Sequence, residues 1–249
     1  MALQIARTAY SDLDLPPYLR RLDELAAGVA IERRDPLSVI EAINACLFER
    51  EGFRGNTEEY YDPRNSFLND VLDRRTGIPI TLSAVYMEVA RRLDFPIWGV
   101  WMPGHFLVKY PGDPELFVDP FYGGKIMLQA DCEARLKEVF GGETPLEPAF
   151  LQAVTKKQMV TRMLQNLKAI YFRNRDYPAA LQIEDILLAL YPRSAEDYRL
   201  RGALRVQLGD RREGRKDLER YLELAPGAED AAMIRDSVEQ LRQMLARPN

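Results

Sequence analysis

The sequence predicts an α+β chain: helices and a small antiparallel sheet come first, and an all-α repeat region follows. Three observations carry this. Apolar residues recur at helical spacing up to Leu93. From Ile97 to Pro120 the pattern shortens into apolar and aromatic runs broken by Pro and Gly. From Lys157 onward one pattern recurs at an offset of 34 residues. A chain of 249 residues is expected to hold one large or two modest domains. The boundaries read as 1–150 for the first part and 157–249 for the repeats.

Each element has its own local reason. Pro17-Tyr18 opens a helix over YLRRLDELAAGVAIERR. Asp35-Pro36 supplies a cap and a first-turn proline for PLSVIEAINACLFEREG, which Gly52 ends. Leu37, Ile40, Ile43 and Leu47 share one face of that helix and are expected to point inward. Ser66 to Arg75 reads as a short helix, punctuated by Gly77. Pro79 suits a first helical turn, where its missing N–H is not needed. The helix then runs to Leu93 with a broad stripe of Leu82, Val85, Tyr86, Val89, Ala90 and Leu93. IWGVWM, HFLVKY and LFVDP read as antiparallel strands. A helix is expected from Asp131 to Phe140, and GGETPLEP as a connector.

The repeats emerge when RNRDYPAALQIEDILLALYPRS is aligned with QLGDRREGRKDLERYLELAPGA. Asp176 then matches Asp210, Leu188 matches Leu222, and Pro192 matches Pro226. Ala169 matches Ala203 in the same register, so small residues are expected at helix contacts. A 34-residue helix–turn–helix period with a closing proline is the tetratricopeptide signature. The units are Met159–Pro192 and Ala195–Pro226, and a last helix from Ala228 to Leu245 would cap the open apolar face.

Composition narrows the function. Hydrophobic residues make up 47% and charged residues 29%, with a formal net charge of −4. That balance argues against a nucleic-acid binder, which carries a basic surplus or stripe, and fits a soluble cytoplasmic protein. The N-terminus lacks the basic start and apolar stretch of a signal peptide. No apolar run is long enough to span a membrane. Cys46 and Cys132 have no paired spacing, and with a single histidine no zinc site is expected. No metal or cofactor is implied.

That histidine, His105, opens GHFLVKYPGDPELFVDP. A hairpin centred on Gly112 sets it directly opposite Asp119, where facing side chains have Cβ atoms about 4.5–5.5 Å apart on one face. The carboxylate would fix the imidazole tautomer and leave one ring nitrogen free, as in a nucleophile–His–Asp site. A satisfied structural histidine beside an Asp-Pro strand end is the plainer reading of the same spacing.

A Leu-x-x-Pro helix end, a strand, a His-led strand and a strand ending in Asp-Pro resemble the transglutaminase-like core of the papain-like cysteine enzymes. More closely, NSFLNDVLDRRTGIPITLSAVYMEVARRLDFPI, PGHFLVKY and FVDPFYGG, followed by tetratricopeptide repeats, resemble the bacterial SirB family. The resemblance covers residues 35 to 226. It implies His105 and Asp119 as triad members. It also implies a nucleophilic cysteine opening the preceding helix in a Gly-x-Cys motif, its thiolate favoured by the helix N-terminus. The matching tripeptide here is Gly77-Ile78-Pro79, so proline stands at the cysteine position.

Substitutes are poor. Thr81 and Ser83 lie on the same helix, Ser83 displaced by a rise of about 6 Å, and first-turn hydroxyls commonly bond the backbone instead. Cys46 belongs to an apolar helix face. Cys132 sits between Asp131 and Glu133, whose charges raise its pKa. Tyr60, Tyr61 and Asp62 read as a cleft rim or a turn. Trp98 and Trp101 read as core or interface rings. Arg211, Arg212, Arg215 and Lys216, interleaved with acids, read as a solvated face. The expectation is a non-catalytic scaffold that binds a protein or peptide partner through its repeats. The alternative is a hydrolase or acyl transferase using Ser83 or Thr81 with His105 and Asp119.

Overall fold

The computed structural model describes residues 2–141 and 145–246. Part of the expected GGETPLEP connector (Gly142, Glu143 and Thr144) and the last three residues of the chain lie outside them. The chain forms two compact units, divided between Met163 and Leu164.

The first unit begins with helices α1 (Ala2–Ile5), α2 (Pro16–Ala27) and α3 (Pro36–Asn44). Asp35 caps α3, its carboxylate accepting from the Ser38 N–H at 3.1 Å. Ile40, Ile43 and Leu47 are buried as expected, but Leu37 is 44% exposed and Val39 takes the inward place. Past Asn44 the helix widens, its hydrogen bonds spanning one residue more, as in Glu51 N–H to Cys46 C=O. Strand β1 (Arg54–Gly55) pairs in parallel with β2 (Thr76–Gly77), and helix α4 (Leu68–Arg74) lies between them in sequence. Helix α5 (Pro79–Arg92) follows at once, with Pro79 in its first turn.

The main sheet has β3 (Trp98–Met102), β4 (His105–Tyr110), β5 (Leu116–Asp119) and β6 (Lys125–Met127) in that order, all antiparallel. Strand β6 is not visible in the sequence pattern. Alternation divides the core. Val108 and Val118 face the apolar cluster that holds Leu82, Val85, Tyr86 and Val89 of α5. Leu107 and Phe117 face a second cluster with Cys132 and Leu136 of helix α6 (Gln129–Phe140). The outer edge of β3 is covered at its middle, where Val100 bridges to Ala153 and Val154 N–H bonds Gly99 C=O at 2.9 Å.

Helix α7 (Lys156–Arg173) crosses the division between the units. The second unit continues with α8 (Tyr177–Leu190), α9 (Ala195–Gln207), α10 (Arg211–Leu224) and α11 (Ala231–Ala246). Asp176 and Asp210 recur because each caps a helix, accepting from Ala179 N–H and Glu213 N–H, both at 3.2 Å. The expected small-residue contact lies elsewhere: Ala169 and Ala203 are exposed. Gly202 and Gly214 make the contact instead, where a Cβ on Gly214 would meet Val206 Cγ2 at 2.7 Å and Gly202 O at 2.9 Å. Ala180, fully buried, is the counterpart of Gly214 one period earlier.

Candidate functional site

Asp119 ends β5 where Pro120 starts a single helical turn, Pro120–Tyr122. Its Oδ1 accepts from the N–H groups of Phe121 at 3.1 Å and Tyr122 at 3.3 Å. That leaves Oδ2 turned toward β4, where His105 Nε2 stands 2.8 Å away. His105 opens β4 directly after Gly104, whose φ of 74° makes the turn from β3.

The β4–β5 register differs from the expected one. Lys109 pairs with Phe117 and Tyr110 with Leu116, so Asp119 falls opposite Leu107 rather than His105. The shift is two residues, and side chains alternate with a period of two, so both groups keep the same face. They meet diagonally, within reach of side chains of this length. With the carboxylate as acceptor, Nε2 carries the proton and Nδ1 presents a lone pair.

Both groups are enclosed. The Asp119 side chain has no exposed surface and that of His105 is 9% exposed. Arg135 of α6 brings Nη1 to 3.8 Å from Asp119 Oδ2 and stacks over the Tyr122 ring at 4.5 Å. The imidazole touches Phe121 edge-on at 6.1 Å and Tyr122 at 6.0 Å between ring centroids.

None of the residues weighed as nucleophiles bonds the imidazole. Pro79 is buried in the first turn of α5. Thr81 Oγ1 donates to Asn65 C=O at 2.7 Å and accepts from Ile78 N–H at 3.1 Å. Its hydroxyl is committed to holding the helix start against the Asn56–Asn65 loop. Ser83 is fully buried, and its Oγ has no hydrogen-bond partner among the described residues. Cys46 is buried and bonds Leu25 C=O at 3.4 Å, and burial raises its thiol. Cys132 is pushed up to about 12, first by burial, then by the charges of Asp131 and Asp119. The expected contribution of Glu133 gives way to Asp119, which lies beneath the helix. Among the described residues no cluster of His, Cys, Asp and Glu could hold a metal ion.

Other expectations resolve plainly. Asp62 caps the turn Pro63–Asn65, and Tyr60 lies 6.1 Å from Phe121, so this segment is both a turn and a neighbour of the pair. Trp98 and Trp101 are half-exposed, which removes the core reading. Arg215 and Lys216 are ion-paired with Glu219 and Glu213. Sequence reasoning missed Tyr122 and Arg135. The signal for Tyr122 was its place in the turn that Asp119 caps. Arg135 lies beside the Cys132–Leu136 apolar stripe, on the flank facing the sheet.

Residues 16–165 match the family model of the transglutaminase-like superfamily, and residues 167–242 match a tetratricopeptide-repeat model. A UPF0162 protein of Xylella fastidiosa is 39% identical over 242 residues, covering 94% of this chain and 86% of that one. A UPF0162 protein of Vibrio cholerae is 30% identical over 225 residues, covering 90% and 83%. F-box only protein 21 of Mus musculus is 31% identical over 183 residues, which are 69% of this chain but 28% of that protein. Fold and matches together define a transglutaminase-like domain followed by tetratricopeptide repeats. The chain belongs to the UPF0162 family, with the architecture that its SirB-like motifs implied.

Proposed function

We propose that this chain is a non-catalytic transglutaminase-like protein acting as a scaffold, with a protein or peptide partner held by its repeats. One observation carries the reading: His105 and Asp119 are bonded at 2.8 Å, and Pro79, buried in the first turn of α5, stands where the resemblance places the nucleophile. The committed hydroxyl of Thr81 and the enclosed one of Ser83 support it. Tetratricopeptide repeats generally mediate protein–protein contacts. In the second unit, a groove of about 580 Å³ between α9, α10 and α11 offers Leu218, Met233, Ile234 and Met244 to a partner. No helix among the described residues is long and apolar enough to cross a membrane. We assign the protein to the cytoplasm on its charge balance.

A second reading has its own support: the His105–Asp119 bond is intact, and Ser83 Oγ is unbonded. A fluorophosphonate probe with peptide mapping separates the two. The scaffold reading expects no adduct on folded protein. An adduct on Ser83 or Thr81 that disappears in His105→Ala would establish a hydrolase or acyl transferase instead.

A further inference from the structure

The pair is surrounded by aromatic surface in numbers that a remnant does not need. Tyr60 and Tyr122, beside it, are 39% and 51% exposed, and Trp101, paired with Phe106 on the neighbouring strand, is 46% exposed. Tyr60 leans on Phe121, and Phe121 in turn on His105 and Tyr122, the latter at 5.1 Å. Two guanidinium groups lie on this rim. Arg135 covers Tyr122, and Arg162 covers Trp101 at 5.1 Å. The Arg162 charge is also felt at Tyr60: burial pushes that phenol up, and the guanidinium opposes the rise.

Neither guanidinium has a close carboxylate partner among the described residues, and exposed Glu58 and Glu59 lie next to Tyr60 in the sequence. Among the described residues Arg162 has no carboxylate partner. Arg135 has only the 3.8 Å approach to Asp119, whose oxygens are already taken by His105 and two backbone N–H groups. Arg135 Nε is buried without a hydrogen-bond partner. A guanidinium seated over a ring is pre-oriented, which suits pairing of its outer N–H groups with a carboxylate. Exposed aromatic rings supply contact area at low entropy cost.

We propose that this rim is a docking site for an acidic peptide segment of a partner protein. Its carboxylates are paired by Arg135 and Arg162, and its apolar side chains lie on Tyr60, Tyr122 and Trp101. The inference rests on reading the cleft as non-catalytic, and the two fail separately. A Ser83 adduct would end that reading without touching the binding isotherms.

The test is fluorescence anisotropy on the full-length chain with a labelled peptide of alternating Glu and Leu, beside the same peptide with Gln for every Glu. The Glu peptide is expected to bind about tenfold tighter, with the gap closing as salt rises. Arg135→Gln and Arg162→Gln are each expected to weaken it about fivefold or more, with thermal melts showing that each variant folds. Arg211→Gln reports whether the peptide seats on the repeat groove instead, and Arg33→Gln, at an exposed side chain beside Asp35, is the control expected to change nothing. Equal binding of the two peptides overturns the proposal. So does a loss confined to Arg211→Gln, which would seat the peptide on the repeats. Displacement by inorganic phosphate as effective as by unlabelled Glu peptide would mean a plain anion site and also overturns it.

Discussion

Glu184 on α8 shows what enclosure does to a single carboxyl group. It has no exposed surface, with Lys168 of α7 3.0 Å from Oε1 and the same ammonium 3.4 Å from Asp197 of α9. The approach to Oε1 is an ion-pair contact and not an aligned hydrogen bond. Burial pushes Glu184 up to about 7; Lys168 opposes the shift and Asp197 adds to it. A carboxyl with a raised folded value binds its proton more tightly in the fold. Its stabilisation is complete below the ordinary 4.5 and is lost as pH rises through about 7. Glu184→Gln is therefore expected to flatten the stability profile and to add on the order of 2 kcal/mol at pH 8. Denaturation at pH 5 and pH 8 reads this directly, and parallel curves for the two proteins would refute it. The His105–Asp119 pair was legible at this scale although its register was not, because parity alone decides which face a side chain takes. Arg135 was not legible, since nothing local ties a helix arginine to a carboxylate at a distant strand end.

At the scale of elements, legibility follows locality. The caps at Asp35, Asp176 and Asp210 bond N–H groups three residues on, a local signal that marks Asp35 as a cap and Asp176 and Asp210 as repeat landmarks. Strand β6 exists because β5 offers it partners, and three residues carry too little alternation to announce it. The α9–α10 contact depends on how closely two helix axes approach, and Gly202 and Gly214 set that distance. Gly214→Ala tests it. Helix propensity alone favours alanine by about 1 kcal/mol. The new methyl would meet backbone at 2.9–3.0 Å, which cannot swing aside. The variant is expected to lose about 1–2 kcal/mol in a denaturant titration. Gly227→Ala, with nothing within 4 Å, is the matched control. A stabilised Gly214→Ala would show that the helices part at little cost.

For the whole molecule, the stretch from Leu151 to Val154 matters more than its irregular sequence suggests. Leu151 is buried against Phe117 and Leu136, and its carbonyl accepts from buried Lys109 Nζ at 3.0 Å. A fragment ending at Phe150 loses these contacts and the cover on β3. It is expected to be less stable than a fragment ending at Arg173 by at least about 2 kcal/mol. Equal denaturation midpoints would show that the segment only hangs on the surface. The two-part order of the chain was legible from the change of period, but this strap was not, because its few polar and apolar contacts reach back to strands far earlier in sequence. The same strap sets a schedule during synthesis. A ribosome releases the chain N-terminus first, and Val100 precedes its cover Ala153 by 53 residues. For that interval the nascent sheet has an open edge flanked by Trp98 and Trp101, the kind of edge other strands add to. The newborn chain is thus most vulnerable to mispairing between the emergence of β3 and that of Val154, and this is the interval in which a chaperone would have most to protect.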